Sequence, residues 1–223
     1  MSKNNNENSI ILENIINIFT VEKGTLKVLL ERKKEEPYKG YWKLPGDILE
    51  KDSTIEQNIN KILNKTIGTS DIYKEQDYTF SEINRYPNER ILATSYIAIT
   101  DSKTVEIKKE STELEDTKWF DVNTLPKMAF DHKQILDKAL VLLKTKLINT
   151  NILKELFPSD FTLPEIQNTF ESIMNTKLDR RNFRKKFINL GLIEDTGYNN
   201  IGGSGRPAKL YKFKDNIKEI NIF

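Results

Sequence analysis

The chain contains no cysteine, which excludes disulfides and thiolate zinc sites. It contains one histidine, His132, so a metal site built from several histidines is excluded as well. No apolar run reaches the roughly 18 residues of a membrane-spanning helix. The first ten residues are polar and lack the apolar core of a secretion signal, so a cytoplasmic protein is expected. Excess charge is also scarce: 35 Lys and Arg face 33 Asp and Glu, a net of +2. What remains is a chain of 223 residues, 37% hydrophobic, with a mean hydropathy of -0.57. Those values describe a globular protein of two domains or one large one.

The small net charge is unevenly spread. Residues 151–223 hold 12 basic and 9 acidic side chains, leaving 23 and 24 for residues 1–150. The stretch Lys177 to Lys186 alone has six basic residues and one acid. Positive charge at that density marks either a phosphate-facing surface or a solvated helix face.

Periodicity orders the chain. Residues 1–8 read as a disordered tail. Ser9–Phe19 and Leu26–Leu30 are strand-like, separated by a turn at Glu22-Lys23-Gly24. Thr54–Thr66 carries apolar residues at helical spacing (Ile55, Ile59, Ile62, Leu63), with Gly68 as its stop. Strands are expected at Tyr73–Phe80, Ile91–Thr100 and Lys118–Asp121, then a helix over Lys133–Leu147. Interspersed strands and helices make this first part mixed α/β. Asn149–Phe161 is a linker or a short helical turn.

The remainder has a different plan. Thr162 and Glu165 form a capping-box pattern ahead of Ile166, Phe170 and Ile173. Asp179 caps a second helix that Gly191 ends. Leu192-Ile193 and Lys209–Phe213 read as strands joined by a Gly- and Asn-rich loop, Gly197–Pro207. Two helices and a basic hairpin make a winged helix. At 100° per residue, Phe183, Phe187 and Leu190 share one face of the second helix. Arg181 and Lys185 point away from it, Arg184 lies at the border, and Asn182 is an adenine reader at a less favourable angle. Such Arg and Lys side chains bond phosphates, and Arg reads guanine edges in the major groove. Arg206, near the tip of the wing loop, would meet the backbone or minor groove.

Trp42-Lys43-Leu44-Pro45-Gly46, the helix from Thr54 and Gly68 together resemble a Nudix box. In that family a magnesium ion held by helical carboxylates supports pyrophosphate hydrolysis. With Leu-Pro-Gly and Gly68 aligned, the carboxylate positions fall on Ser53, Ile62, Lys65 and Thr66, and the arginine position on Lys61. Glu50, Asp52 and Glu56 lie off the required spacing. No catalytic residue, metal ligand or cofactor is therefore expected.

From Glu13 to Phe213 the chain resembles the Nudix-related transcriptional regulators, NrtR-like proteins that include arabinose-responsive members. The most specific segments are Phe161-Thr162-Leu163, Leu178–Lys185 and Gly205–Tyr211. Thr79-Phe80-Ser81 with Asn84-Arg85-Tyr86-Pro87 and Ala129-Phe130-Asp131-His132 also resemble family segments. Tyr86 departs from the family's Arg-Asp-Pro. The resemblance implies an α+β protein: a Nudix-type α/β/α sandwich with a mixed sheet over residues 9–148, and a winged helix-turn-helix over 149–223. It implies a ligand-responsive regulator, a repressor, that pairs into a homodimer through the Nudix part and reads a palindromic operator in double-stranded DNA. Arg180, Arg181, Asn182, Arg184, Lys185, Arg206 and Lys209 would face DNA. A small-molecule effector, a sugar or an ADP-ribose-type nucleotide, would bind the Nudix part.

Arg32, Lys43 and Arg85 border the expected cleft, as effector contacts or as structural ion pairs. Trp42 stacks on an effector ring or packs beside Leu44. His132 reads as structural. Two rival readings remain open: a Nudix hydrolase of nucleoside-diphosphate-linked compounds, and a protein-binding module whose basic helix meets an acidic partner.

Overall fold

The computed structural model describes residues 10–87, 89–108, 114–200, 207–214 and 219–220. The tail expected over residues 1–8 and the wing residue Arg206 lie outside them.

The first strand sets the architecture. In β1 (Ile11–Glu22) side chains alternate sides, and both sets are apolar. Ile15 and Phe19 join one buried cluster, and Ile16 and Ile18 join another. A strand that buries both faces needs cover on both faces. β2 (Thr25–Lys33) folds back on it as a hairpin through Lys23 and Gly24, both at positive φ. Two short strands follow, β3 (Trp42–Lys43) on β2 and β4 (Gly46–Ile48) on β1.

Helix α1 (Ile55–Ile67) opens with the capping box of Thr54 and Gln57 and closes on Gly68 in the left-handed region. Its residues Ile59, Ile62, Leu63 and Ile67 cover Ile16, Ile18 and Leu29. β5 (Tyr73–Phe80) lies antiparallel to β6 (Ile91–Ile99), and β6 runs parallel to β1. β7 (Leu114–Asp121) pairs with β2. The sheet is therefore mixed, with the path β3-β2-β1-β6-β5. Helix α2 (His132–Asn149) places Ile135, Leu136, Ala139 and Leu143 against the other face, in the cluster of Ile15 and Phe19. The result is an α/β/α sandwich.

A 3-10 turn (Ile152–Leu156) leads to β8 (Phe161–Thr162), so the open choice over 149–161 resolves as a short helical turn. Helix α3 (Leu163–Met174) begins at the Thr162–Glu165 capping box, each residue's side chain accepting from the other's backbone N–H. Helix α4 (Arg180–Asn189) is capped by Asp179, whose carboxylate accepts from the Asn182 N–H at 2.8 Å. β9 (Ile193–Asn200) and β10 (Ala208–Phe213) form the wing in the sheet order β8-β10-β9. β9 is much longer than the two residues expected, because β10 supplies backbone partners as far as Asn200. Phe161, Phe170, Phe183 and Phe187 continue the same buried cluster that lies under α2, so the two parts share one apolar seam.

Candidate nucleic-acid interface and effector site

Apart from the exposed Ile188, helix α4 is polar except where it meets α3 and the wing. Phe183 and Phe187 are buried and stacked at 5.5 Å, and Phe170 of α3 lies 5.7 Å from Phe183. These rings fix the rotation of the helix about its axis. Arg180, Arg181, Asn182, Lys185, Lys186 and Asn189 are then left exposed. Arg181 and Lys185 are four residues apart and stand together opposite the rings. Among the described residues neither forms an ion pair with an acid.

Arg184 differs from the others. It is half-buried, in a hollow of about 440 Å³ shared with Arg180, Lys209 and Tyr211. Its Nε is buried without a hydrogen-bond partner among the described residues. Burial first, and the charge of Arg180 second, lower its pKa from the usual guanidinium value. An anion entering the hollow would relieve both penalties. Lys209 is exposed but engaged: its ammonium lies 2.6 Å from Asp195 across the wing. A solvent-exposed pair of this kind is weak, so a phosphate can compete for the lysine.

The turn between α3 and α4 is held by a residue that sequence reasoning missed. Buried Glu171 accepts from the Leu178 N–H at 3.0 Å, from Lys177 at 2.9 Å and from Gln167 at 2.9 Å. These bonds hold its carboxyl below the usual range against the desolvation that raises it. The sequence offered little signal: Glu171 follows Gln167 by four residues but lies about 100° round the helix from Phe170, off the apolar stripe.

In the Nudix part the expected effector residues separate. Arg32 is exposed, with Nε donating to the Gly40 carbonyl at 3.2 Å. Trp42 packs edge-on against Phe120 at 4.5 Å, half-buried, so its ring belongs in part to the core. Lys43 reaches Glu31 at 3.3 Å. Arg85 does not border an open cleft. Its side chain is 1% exposed, and it grips Asp131 with Nε at 2.5 Å and Nη2 at 2.9 Å. A bidentate pair with the partly buried Asp131 carboxylate satisfies a guanidinium that would otherwise be costly to bury.

Around that pair lies a buried polar cluster. Glu13 accepts from the Tyr86 hydroxyl at 3.2 Å, and Tyr86 stacks on Phe130 at 4.1 Å. Burial raises the Glu13 carboxyl, and the charges of Lys43 and Arg85 oppose the rise. Glu13 was also missed, although a carboxylate inside an apolar strand signals a buried partner. His132 is fully buried. Its Nδ1 accepts from the Leu44 N–H at 3.0 Å, tying the Leu-Pro-Gly segment to the start of α2. Burial holds its pKa well below the imidazole value, with the charges of Lys43, Arg85 and Lys33 adding to the effect. An imidazole so held is uncharged at neutral pH, and its Nε2 is buried without a hydrogen-bond partner among the described residues.

At the positions expected from the sequence for the Nudix-box carboxylates, Ser53 is half-buried, Ile62 is buried against the sheet, Lys65 is exposed, and Thr66 is buried with its hydroxyl 3.4 Å from Glu31. Lys61 is held by Glu50 at 2.7 Å and Asp47 at 3.6 Å. No three His, Asp or Glu side chains among the described residues gather in a metal-holding cluster.

Residues 13–139 match the NUDIX domain family, and residues 153–213 match the NrtR DNA-binding winged helix domain. The chain is 32% identical to the ADPR responsive transcriptional repressor NtrR of Acinetobacter baylyi over 88% of its own length and 79% of that protein. It is 31% identical to the ADP-ribose pyrophosphatase of Methanocaldococcus jannaschii over 49% of its length and 63% of that enzyme. It superposes on Shewanella oneidensis NrtR complexed with a 27mer DNA with a TM-score of 0.79 at 28% identity, covering 91% of this chain and 93% of that one. The NUDIX domain of the same protein complexed with ADP ribose superposes with a TM-score of 0.56 at 26% identity, covering 61% and 90%. With both parts matched in order and the whole fold superposed, the chain belongs to the Nudix-related transcriptional regulators, in which a NUDIX domain is joined to an NrtR-type DNA-binding winged helix.

Proposed function

We propose that the chain is a transcriptional repressor, acting in the cytoplasm, that binds a palindromic operator as a homodimer and is released by ADP-ribose without hydrolysing it. Residues 149–223 carry DNA binding and residues 9–148 carry effector binding. The observation that carries this reading is the exposed cationic face of α4, Arg181 and Lys185 opposite Phe183 and Phe187, in a fold that superposes end to end on a DNA-bound regulator. Arg180, Asn182, Arg184, Arg206 and Lys209 add to the DNA surface. Arg32, Trp42 and Lys43 contact the effector, and Arg85 supports the site from beneath through Asp131. Release follows if ADP-ribose favours a dimer geometry whose two α4 helices no longer match the half-site spacing.

The resemblance to a pyrophosphatase favours a second reading, a hydrolase with an appended domain. The chemistry at positions 53, 62, 65 and 66 argues against it, since a serine, an isoleucine, a lysine and a threonine offer magnesium no carboxylate. The test is fluorescence anisotropy with the DNA upstream of the protein's own gene, titrated with ADP-ribose, NAD and pentoses. Tight, sequence-selective binding reversed by ADP-ribose supports the proposal. Binding no tighter than to random DNA, together with magnesium-dependent release of AMP from ADP-ribose, establishes the hydrolase instead.

A further inference from the structure

Glu31 of β2 and Lys43 of β3 are direct partners in the antiparallel register, and both side chains are largely buried, 8% and 16% exposed. Each oxygen of the Glu31 carboxylate has a neighbour: the Thr66 hydroxyl lies 3.4 Å from one and the Lys43 ammonium 3.3 Å from the other. The same ammonium donates to the Gly46 carbonyl at 3.4 Å. Its charge is also the foremost influence holding down the buried Glu13 carboxyl, and it acts on His132. Lys43 thus sits at the centre of the buried polar groups that flank the Nudix-box helix.

We infer that the Lys43 ammonium takes the place of a divalent cation in this protein, so that a diphosphate-linked ligand is bound without magnesium. This rests on the proposal that the Nudix part senses rather than hydrolyses. Oxygen ligands are what a magnesium ion needs, and here a carboxylate and a backbone carbonyl are already taken by a fixed positive charge. A metal ion sharing those oxygens would meet that charge at close range in a poorly screened site. Thr66, at a box carboxylate position, donates to Glu31 where a glutamate would repel it. An ammonium carries three donors. Two point to Glu31 and Gly46, and the third can meet a phosphate oxygen. The arrangement supplies charge for a diphosphate but no activated water, as a sensor requires.

Two measurements on the full chain test this. Manganese binding is followed by electron paramagnetic resonance, and ADP-ribose binding by calorimetry in EDTA and in millimolar magnesium. The wild type is expected to bind no stoichiometric Mn²⁺ and to bind ADP-ribose equally well in both buffers. Lys43→Met should weaken ADP-ribose binding in EDTA by about tenfold or more, the loss typical of a charged hydrogen bond. Lys43→Arg, which keeps the charge, should retain most of it. The double variant K43M/T66E, with a carboxylate restored, should bind Mn²⁺ and recover ADP-ribose affinity only when magnesium is present. Thermal unfolding of each variant identifies any that fail to fold, and K43R then carries the comparison. Stoichiometric Mn²⁺ binding by the wild type that Glu31→Gln abolishes would overturn the inference. So would magnesium-dependent ADP-ribose binding by the wild type, or full affinity in K43M. If no variant binds ADP-ribose in either buffer, the proposed effector fails, while the manganese measurement still decides the role of Lys43.

Discussion

Helices α1 and α4 are both opened by a side-chain cap, Thr54 and Asp179, and both carry polar residues at the positions where the family's two functions reside. Their surroundings differ. Helix α1 lies flat on the sheet, so Asn58, Ile62 and Thr66 on its inner side are buried and matched to partners such as Asn14 and Glu31. Of its two lysines, Lys61 is neutralised by Glu50 and Asp47, and Lys65 is exposed with no acid partner among the described residues. Helix α4 touches the rest of the protein mainly through two phenylalanines, and Arg181 and Lys185 meet no acid among the described residues. Cationic residues alone therefore do not mark an interface in this protein. What sets α4 apart is grouping: Arg181 and Lys185 stand together on one face without an acid partner among the described residues, so they lose no ion pair when a phosphate arrives.

The largest effect that would break this comparison lies beneath α4. Phe187→Ala removes a fully buried ring from the core shared by α3, α4 and the wing, and should cost about 3–5 kcal/mol of stability. Denaturant unfolding measures it, and a loss below about 1 kcal/mol would mean that the helix is not anchored by its rings. Next comes the outward face. The double variant R181A/K185A should weaken operator binding by about 100-fold, at about 1–3 kcal/mol for each base contact, or lower the salt slope by about 2 if both contacts are to phosphate. Anisotropy across a salt series separates the two cases, and unchanged affinity would remove α4 from the interface.

The smallest effect sharpens the Nudix side. The folded pKa of His132 lies well below 6.5, so the unfolded chain takes up a proton first as the pH falls. Stability that is present above about pH 6.5 is then lost on acidification toward the folded pKa, by up to about 1.4 kcal/mol per pH unit. His132→Gln should flatten the dependence of melting temperature on pH between neutrality and the acidic range. An unchanged slope would show that the imidazole already titrates in the folded protein.

Much of this protein is written locally. The two-sided apolar alternation of β1, the spacing of Ile59, Ile62 and Leu63, the capping boxes at Thr54 and Thr162 and the ring stripe of α4 are each contained within about a dozen residues, and each element forms where its pattern lies. Backbone geometry repeats every two or 3.6 residues, so such patterns dictate which face is buried before any tertiary contact exists. The destinations of the charged side chains are not local. Arg85 pairs with Asp131, 46 residues away, and Thr66 meets Glu31 across 35. β9 extends past Gly197 only because β10 returns beside it. Whether a buried arginine or lysine serves a ligand or a neighbouring carboxylate depends on which oxygen the folded chain brings within about 3 Å of it, since desolvation forbids leaving the charge unpaired. The sequence determined the elements and their apolar faces, and the tertiary structure decided which charges remained available to a partner.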